Sequence, residues 1–368
     1  MEKIKILYVI SSLKPCGPDN VMYEIIKNID HNKFAISVLA LSNAENKKIQ
    51  YGLTQMGVDC YLLGVSRKMF LFKGWKKAKE IIKKIKPDIV HAHCIRSAIL
   101  IGFLKNTDLL KFVTIHNYPH LDYVYGYGKI IGKIAGVMMI KAIQKFDFII
   151  ACSSSISTEL KNKFSVSTLY IRNGVRENKY IGDKIKLRNK LHIPTGKKVI
   201  LSVGSITNLK NSAFLVNSLG RIKDNIYIIF LGDGPARKFC EKNKTDNMHF
   251  LGHKTNVDEY LAAADIYVSA SKTEGLPLSV LEALNSGTPV LLSDIDPHKE
   301  ILSVSDKMIG YTFKQNDIND FLQKLTTMLL DENINLMSMN AVKVGRGIFS
   351  SKNMGENYEK LYLQAMRG

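Results

Sequence analysis

The sequence has few cysteines, and none of them is paired at short spacing. Its 368 residues contain five cysteines, an odd number, and no C-x-x-C motif. A disulfide framework needs an even set, and a cysteine zinc site needs closely spaced ligands. Both are therefore excluded, and we expect a reducing, cytoplasmic compartment. The cysteines are Cys16, Cys60, Cys94, Cys152 and Cys240.

Long apolar runs are also missing from the sequence. No stretch reaches the about 18 uncharged apolar residues that a membrane-spanning helix requires. The first apolar run, IKILYVI at residues 4–10, is too short for the apolar region of a signal peptide and predicts a buried strand. Apolar residues make up 46% of the chain and charged residues 23%, which is typical of a folded protein. Because single cores stop growing at roughly 250 to 300 residues, the length predicts two domains.

Acidic residues are scarce relative to basic ones, and the net charge is +19. Residues 1–177 hold 27 lysines and arginines against 13 aspartates and glutamates, a net charge of +14. Such a surface attracts an anionic partner, either nucleic acid or an anionic membrane. The densest run, residues 67–86, contains nine basic residues and the single tryptophan, Trp75. The alternative is a solvated helix face that has no partner.

Short β-branched runs alternate with helical patterns in both halves of the chain. This alternation predicts parallel sheets with helices on both faces. We therefore predict an α/β fold of two Rossmann-like, doubly wound domains that face each other across a cleft, where the carboxyl ends of such strands bind ligands. The predicted strands are residues 4–10, 36–41, 88–93, 112–116 and 147–153 in the first half and 198–205, 225–232, 249–252, 265–271 and 288–293 in the second.

The pattern restarts after a charged stretch, which sets the predicted domain boundaries. Residues 1–177 are predicted to form the N-terminal domain and residues 178–196 the linker. Residues 197–345 are predicted to form the C-terminal domain. Residues 346–368 are predicted to form a crossover helix that packs back on the first domain.

The stretch KTEGLPLSVLE, residues 272–282, places Glu274 before a turn and Glu282 inside the helix that follows. That helix is predicted over residues 278–284, and the unpaired amides of its first turn form an anion site that suits a phosphate. The two carboxylates would then hold hydroxyl groups at opposite ends of a sugar nucleotide. The alternative is that Glu274 caps the helix and Glu282 is a surface residue.

Several motifs, taken in order, resemble one enzyme family. The pattern S-x-x-E-G-x-P-x-x-x-x-E-A at residues 271–283 is followed by SGTPV and preceded by PDIVHAH, IRNGV, VGSITNLKN and LGDGP. Together these motifs resemble the retaining glycosyltransferase family 4, or group 1, which has the GT-B architecture. The resemblance covers nearly the whole chain; it is strongest in residues 198–302 and looser before residue 87.

The resemblance implies that the C-terminal domain binds a nucleoside diphosphate sugar and that the N-terminal domain binds the acceptor. Glu282 is expected to bind the ribose, Glu274 the transferred sugar and Lys210 the diphosphate. His116 is expected to face the reacting sugar, so that His116, Lys210 and Glu274 form the predicted catalytic set. The predicted donor-binding residues are Gly17, Gly204, Ser205, Lys210, Gly232, Gly252, Glu274, Gly275, Leu276, Pro277, Leu278 and Glu282.

Two loops depart from the family pattern. Family members usually carry two consecutive glycines and a glutamate in the first loop, where this chain reads CGPDN around Gly17. Many also carry an arginine after the VG of the second-domain loop, where Ser205 stands here. Lys210 is therefore expected to neutralise the diphosphate with less help than in those relatives.

No metal site is predicted. Asp294 and Asp296 form the single D-x-D match in a loop after a strand, and His91 and His93 share one strand face without an evident third ligand. Strand-end histidines are commonly hydrogen-bonded structural groups, and a buried structural role is also the alternative for His116. The family resemblance likewise implies metal-independent transfer.

Two segments after His116 indicate an acceptor and a membrane surface. Residues 117–129 are rich in tyrosine and glycine and are predicted to be a loop, either a mobile wall for the acceptor or a plain packing loop. Residues 129–146 combine apolar residues with lysines, as interfacial helices do. With residues 67–86 they motivate peripheral binding to anionic lipid on the inner face of the plasma membrane.

These observations predict a metal-independent retaining glycosyltransferase. It is expected to move a sugar from a nucleoside diphosphate sugar to a lipid-linked cell-surface glycan such as O-antigen, capsule or exopolysaccharide. No cofactor is expected besides this co-substrate, and a UDP-sugar is favoured by its frequency in the family. The alternatives are a nucleotide-sugar epimerase of the same architecture and a non-catalytic protein that binds sugar nucleotides. Nucleic-acid binding is disfavoured because the chain lacks a helix-turn-helix, zinc or aromatic RNA-binding signature.

Overall fold

The chain folds into two compact units, residues 1–174 together with 351–368, and residues 175–350. Residues 67–73 of the basic run 67–86 lie outside the described part of the chain. The computed structural model describes residues 2–13, 16–42, 47–65, 74–104, 109–180, 182–222 and 225–367.

Within the described ranges, the first unit contains a seven-stranded parallel sheet. Its strands are β1 (Ile4–Ile10), β2 (Phe34–Ala40), β3 (Asp59–Leu62), β4 (Ile89–His93), β5 (Leu110–Ile115), β6 (Phe148–Ala151) and β7 (Leu169–Tyr170). They lie in the order β3-β2-β1-β4-β5-β6-β7. All five strands predicted in this half are confirmed. The sequence missed β3 and β7 because both are short edge strands with exposed residues and lack the buried apolar run that identified the others.

In the described ranges, seven helices lie between these strands along the chain. They are α1 (Gly17–Asn28), α2 (Lys47–Gln55), α3 (Trp75–Ile85), α4 (Ile95–Gly102), α5 (Pro119–Tyr127), α6 (Lys129–Ile143) and α7 (Ser154–Phe164). The central strand β1 is buried from Ile6 to Ile10, because helices cover both faces of the sheet.

Helix α5 corrects the prediction of a loop over residues 117–129. Pro119 lies in the first turn of the helix, where its missing N–H group leaves no hydrogen bond unmade. Helix α6 packs so closely on α5 that a Cβ atom added to Gly132 would lie 2.4 Å from the carbonyl oxygen of Tyr123. The loop prediction was wrong because tertiary packing stabilises a helix in a segment whose glycines and tyrosines are weak helix formers.

The second unit contains a six-stranded parallel sheet in the described ranges. Its strands are β8 (Lys198–Val203), β9 (Ile226–Leu231), β10 (Met248–Phe250), β11 (Ile266–Ser269), β12 (Val290–Ser293) and β13 (Gly310–Phe313). They lie in the order β10-β9-β8-β11-β12-β13. The five strands predicted in this half are confirmed, and the sequence missed only the short strand β13. The predicted fold class of two Rossmann-like α/β domains is therefore confirmed.

Eight helices accompany the second sheet in the described ranges. They are α8 (Lys184–Lys190), α9 (Ser212–Leu219), α10 (Arg237–Lys242), α11 (Val257–Ala263), α12 (Leu278–Asn285), α13 (Asp296–Ser303), α14 (Ile318–Leu330) and α15 (Ile334–Gly347). The helix predicted over residues 278–284 is confirmed as α12. Its core side is apolar, with Val280, Leu281 and Leu284 buried.

The segment predicted as a linker, residues 178–196, contains α8 and packs on the second unit. The buried guanidinium of Arg188 donates to the carboxylate of Asp265 over 2.7 Å and to the carbonyl oxygen of Ala263 over 3.0 Å. The backbone amide of Asn178 donates to the side-chain oxygen of Asn285 over 2.7 Å. Arg188, a basic residue of the predicted linker, is therefore ion-paired in the structure.

The C-terminal helix α16 (Ser351–Ala365) belongs to the first unit, where it packs on α1. A Cβ atom on Gly355 would lie 2.6 Å from the Cβ atom of Asn28, so glycine permits this close contact. The hydroxyl groups of Tyr8 and Tyr362 are 2.9 Å apart in the core beneath. The prediction that the last helix packs back on the first domain is confirmed.

Candidate active site

The second unit has a polar pocket at the carboxyl ends of β8 and β11. These strands are neighbours at the point where the strand order reverses, which is where open α/β sheets bind ligands. Gly204 and Ser205 follow β8 directly, and Lys210 stands two residues before α9. These three residues line the pocket together with Ser271 and Ser279. The structure thus brings three predicted donor-binding residues to one pocket.

Three predicted glycines, Gly204, Gly232 and Gly252, lie against one another beside this pocket. Their φ angles are +145°, +130° and +68°, a region that residues with a side chain rarely adopt. The amide of Gly232 donates to the carbonyl oxygen of Gly252 over 2.9 Å. A Cβ atom on Gly232 would lie 2.0 Å from the carbonyl oxygen of Gly204. The loops after β8, β9 and β10 therefore meet through backbone alone.

We expect Gly232→Ala to destabilise the second unit by about 2 kcal/mol and to weaken nucleotide binding, because the alanine is strained at this φ and displaces the Gly204 loop. The urea midpoint and calorimetric titration with UDP measure the two effects. Gly196→Ala is the matched control, because no described atom lies within 4 Å of the added Cβ atom. An unchanged urea midpoint for Gly232→Ala would contradict this prediction, because it would show that the loops after β8 and β9 can move apart without loss of stability.

Lys210 and Glu274 form an ion pair at the pocket. The ammonium group of Lys210 donates to the Oε1 atom of Glu274, which also accepts a hydrogen bond from the hydroxyl group of Ser271 over 2.7 Å. The exposed fraction is 27% for the side chain of Lys210 and 12% for that of Glu274. Although burial raises the pKa of Glu274, the charge and hydrogen bond of Lys210 hold it below its ordinary value. Glu274 is therefore a carboxylate at neutral pH.

Backbone and amide hydrogen bonds hold the two loops that carry this ion pair. The amide of Lys272 donates to the carbonyl oxygen of Leu209 over 2.9 Å, which links the two loops directly. The side chain of Gln315 donates to the carbonyl oxygens of Ser271 and Lys272, both over 3.3 Å. Asn211 adopts a left-handed conformation with φ +55° where helix α9 begins. Hydrogen bonds within and between the two loops therefore fix the positions of Lys210 and Glu274.

Helix α12 begins beside this ion pair with Pro277 in the N-cap position. The first backbone bonds of the helix run from the amides of Val280 and Leu281 to the carbonyl oxygen of Pro277, over 3.1 Å and 3.3 Å. The amides of Leu278 and Ser279 lie in the first turn, which has no intrahelical acceptors for them. The alternative role of Glu274 as the helix cap is wrong, because Pro277 occupies that position and Lys210 holds the carboxylate.

The remaining residues of the motif lie on or near this helix start. Gly275, Leu276 and Pro277 are buried and form the turn into α12. Leu278 is half-buried in the first turn. Glu282 is half-buried one turn further along the same helix. The spacing of Glu274 and Glu282 therefore places one carboxylate before the start of α12 and the other within the helix.

Sequence reasoning missed Ser271 and His298. Ser271 donates a hydrogen bond to the carboxylate of Glu274, and its signal in the sequence is the S-x-x-E spacing, in which two residues separate the serine from the glutamate. The Nδ1 atom of His298 lies 2.8 Å from the carbonyl oxygen of Ser293, and its ring is fully buried. Burial lowers the pKa of His298 to about 4, although Glu274 raises it. The sequence gives no signal for His298, because only the fold brings α13 near Glu274.

His116 lies at the carboxyl end of β5 in the first unit. Its Nε2 atom is 2.8 Å from the Nδ1 atom of His93, which ends the neighbouring strand β4. Burial lowers the pKa of His116 to about 3, so its ring is neutral at pH 7. His91 is fully buried and bonds to Thr114 over 2.8 Å and to Tyr362 over 2.6 Å. His91 is thus a structural histidine, whereas His116 is half-buried.

Gly17 is the first residue of helix α1, after β1 and next to Cys16 in the N-cap position. Asp19 lies in the first turn of this helix and is buried. The first-domain glycine predicted to contact the donor therefore stands at a helix start. This placement resembles that of α12 in the second unit.

The part of the chain that the structure describes contains no group of three or more histidine, cysteine, aspartate or glutamate residues able to hold a metal ion. Asp294 instead accepts a hydrogen bond from the amide of Gln315 over 2.9 Å. Within the same ranges, no helix is both long and apolar enough to cross a membrane.

Helix α6 exposes a ridge of large apolar side chains. We name this set the α6 ridge: Ile130, Ile131, Ile134, Val137 and Met138. The exposed fractions of Ile130 and Ile131 are 77% and 64%. Exposed lysines flank the ridge on the same helix and after it: Lys129, Lys133, Lys141 and Lys145. The opposite side of the helix packs on α5 through Gly132 and Gly136.

Sequence comparisons with known proteins match one enzyme family. The family described as "Glycosyl transferases group 1" matches residues 183–343, and "Glycosyltransferase Family 4" matches residues 16–179. The O-antigen biosynthesis glycosyltransferase WclY of Escherichia coli is 26% identical over 378 residues, 99% of each chain. The alpha-monoglucosyldiacylglycerol synthase of Streptococcus pneumoniae is 30% identical over 323 residues, 81% of this chain and 71% of that protein.

Solved structures show the same fold. The structure of HepE from Anabaena in complex with UDP-glucose has a TM-score of 0.82 at 16% identity and covers 98% of this chain and 100% of that one. Sucrose-phosphate synthase from Thermosynechococcus elongatus has a TM-score of 0.84 at 15% identity and covers 99% of this chain and all of that one. The protein is a GT-B glycosyltransferase. It belongs to the group 1 glycosyltransferases, family 4.

Proposed function

We propose that this glycosyltransferase moves a sugar, with retention and without a metal ion, from a UDP-sugar to a lipid-linked cell-surface glycan. The observation that carries the proposal is the ion pair of Lys210 and Glu274 beside the start of α12. One cation, the amides of the first helical turn and two carboxylates at this spacing match the diphosphate, the sugar and the ribose of a sugar nucleotide.

The leaving diphosphate explains why the cation is needed. As the bond between the sugar and the diphosphate breaks, the diphosphate gains negative charge, and positive groups fixed at that position lower the barrier. Lys210 supplies an ammonium group, and the amides of Leu278 and Ser279 supply the positive end of a helix dipole. Ser205 lines the same pocket and offers a hydroxyl group there.

Glu274 and Glu282 have different proposed tasks. Glu274 is an ionised, nearly buried carboxylate, which suits it to accept hydrogen bonds from hydroxyl groups of the transferred sugar. Glu282 lies further along α12 and is assigned to the two hydroxyl groups of the ribose. His116 of the first unit is assigned to the transferred sugar.

A panel of UDP, GDP and ADP tests the donor site. We expect UDP to raise the melting temperature most, because a ligand that binds only the folded state stabilises it. The UDP-glucose complex of HepE supports this choice of nucleotide. Equal or absent shifts with all three diphosphates would contradict a UDP-sugar donor.

Transfer is tested with a pool of UDP-sugars and lipid-linked glycan acceptors. Acceptor-dependent release of UDP with retained anomeric configuration is the expected result, and it should persist in excess EDTA. Supporting relatives include an O-antigen biosynthesis glycosyltransferase and a galactosyltransferase named for a diphosphoundecaprenol substrate. Donor turnover without acceptor would instead identify an epimerase, and donor binding without any turnover a sensor.

We further propose that the enzyme binds the inner face of the plasma membrane through the α6 ridge. The ridge offers apolar side chains for insertion between lipids, and each flanking lysine near an anionic surface adds on the order of 1 kcal/mol. A membrane-bound enzyme meets a lipid-linked acceptor within the plane of the bilayer. None of the five cysteines, all of which lie in the described ranges, forms a disulfide, and this suits a reducing cytoplasm.

The double variant Ile131→Asp and Ile134→Asp should lose most flotation with vesicles that contain anionic lipid. Each isoleucine contributes about 2 kcal/mol when it leaves water, and each new carboxylate is repelled by the lipid headgroups. Ile185→Asp is the control, since Ile185 is 66% exposed in the second unit. Flotation of the double variant equal to that of the parent would contradict the role of the ridge.

A further inference from the structure

His93 and His116 meet at the carboxyl ends of two paired strands, β4 and β5. The Nδ1 atom of His93 lies 2.8 Å from the Nε2 atom of His116, and the two rings stack with centroids 5.1 Å apart. Burial lowers the pKa of His116 to about 3 and the pKa of His93 well below its ordinary value. Both rings are therefore neutral, and one of them donates the shared hydrogen bond.

The second ring nitrogen of His93 decides which histidine donates. The Nε2 atom of His93 is buried and has no hydrogen-bond partner among the residues that the structure describes. If His116 donated to Nδ1 of His93, this Nε2 atom would carry a buried N–H group without an acceptor. Buried donors without partners are rarer in proteins than acceptors without partners. His93 therefore carries its proton on Nδ1 and donates to His116.

We infer that His93 is a positioning residue that holds His116 in the tautomer protonated at Nδ1. His116 then offers an N–H donor, not a basic nitrogen, to a hydroxyl group of the bound sugar. The hydrogen bond that one ring nitrogen makes sets the state of the other. This inference rests on the proposed function, because it takes His116 as the residue that meets the transferred sugar.

A buried network beneath His93 fixes its orientation. The ring of His91 lies 4.5 Å from that of His93, centroid to centroid. His91 is held by Thr114 and Tyr362, and Thr114 also bonds to the hydroxyl group of Tyr358 over 2.9 Å. Helix α16 thus supplies two tyrosines that restrict the histidines at the ends of β4 and β5.

The tautomer of His116 can be measured without any activity assay. Long-range proton–nitrogen spectra of the full chain labelled with nitrogen-15 histidine distinguish a protonated from a bare ring nitrogen. His116→Gln assigns the His116 signal by its loss. We expect the proton of His116 on Nδ1. A proton on Nε2 would overturn the inference, whether or not the protein transfers a sugar.

A matched pair of variants tests whether His93 sets this state. Asparagine places an amide nitrogen near the position of Nδ1, whereas leucine has nearly the same size and no donor. We expect His93→Leu to mix the tautomers of His116 and to lower kcat on the order of tenfold, with little change in donor KM. We expect His93→Asn to retain most of the Nδ1-protonated tautomer and most of the parent kcat. Equal losses in kcat for the two variants, or none for leucine, would overturn the positioning role.

The two proposals fail separately. A parent enzyme that binds no nucleotide and transfers no sugar would reject the proposed function, while its spectra would still report the tautomer. If His93→Leu unfolds, which a melting curve detects, the parent spectrum and His93→Asn still decide the inference.

Discussion

Lys210→Ala is expected to lower the turnover of sugar transfer by about 10² to 10³, the usual effect of removing one preorganised group that stabilises developing charge. Lys210 is the cation among the residues that line the described pocket, which lies between the Gly204 loop and the start of α12. Steady-state kinetics with the UDP-sugar and acceptor measures the loss. Turnover near that of the parent would remove Lys210 from the mechanism.

The loss in Lys210→Ala must be separated from a loss of stability. Breaking a buried ion pair destabilises a fold by about 3 to 5 kcal/mol, and the partial exposure of Lys210 places this pair below that range. Lys190→Ala is the matched control, because Lys190 pairs over 2.7 Å with another nearly buried carboxylate, Glu259. It should destabilise the unit modestly and leave turnover intact.

Glu274→Gln is expected to lower turnover on the order of 10² while UDP binds about as tightly as to the parent. The amide keeps the shape of the side chain but accepts weaker hydrogen bonds from sugar hydroxyl groups and leaves Lys210 without its partner. Kinetics and calorimetry with UDP measure the two effects. Glu259→Gln is the control, since Glu259 is also a nearly buried carboxylate with a lysine partner.

Weakened UDP binding with normal turnover in Glu274→Gln would contradict this assignment and indicate that Glu274 contacts the nucleotide.

Glu282→Ala offers the complementary comparison. Loss of the ribose contact should weaken UDP binding by about tenfold, or about 1.4 kcal/mol, and change turnover less at saturating donor.

The sheets were predictable from the sequence because a strand buried on both faces must be almost continuously apolar. All ten predicted strands formed, and helix α12 formed where Pro277 and the following residues predicted it. The strands β3, β7 and β13 were missed because they are short and partly exposed. Helix α5 was missed because it packs closely on α6 at Gly132 and Gly136, a tertiary contact that helix propensity does not consider.

Residues of the candidate site were predictable from the sequence only where they belong to a short motif with a recognisable spacing. The glutamates of KTEGLPLSVLE and the lysine of VGSITNLKN were predicted from their sequence motifs. In the structure, Lys210 and Glu274 form an ion pair. His298 and the donor role of His93 had no such signal. Both depend on which buried groups meet across elements far apart in the chain.

By itself, the sequence determined that this protein has two α/β sheets, a helix that starts at the turn after β11 and a basic, lysine-rich first half. These properties follow from periodicity, turn residues and charge, which act over a few neighbouring positions. Only the tertiary structure decided that Glu274 is ionised against Lys210, that three glycines join their loops, that α6 exposes an apolar ridge and that His93 faces His116. Each of these depends on burial and contact between distant segments, which no local pattern specifies.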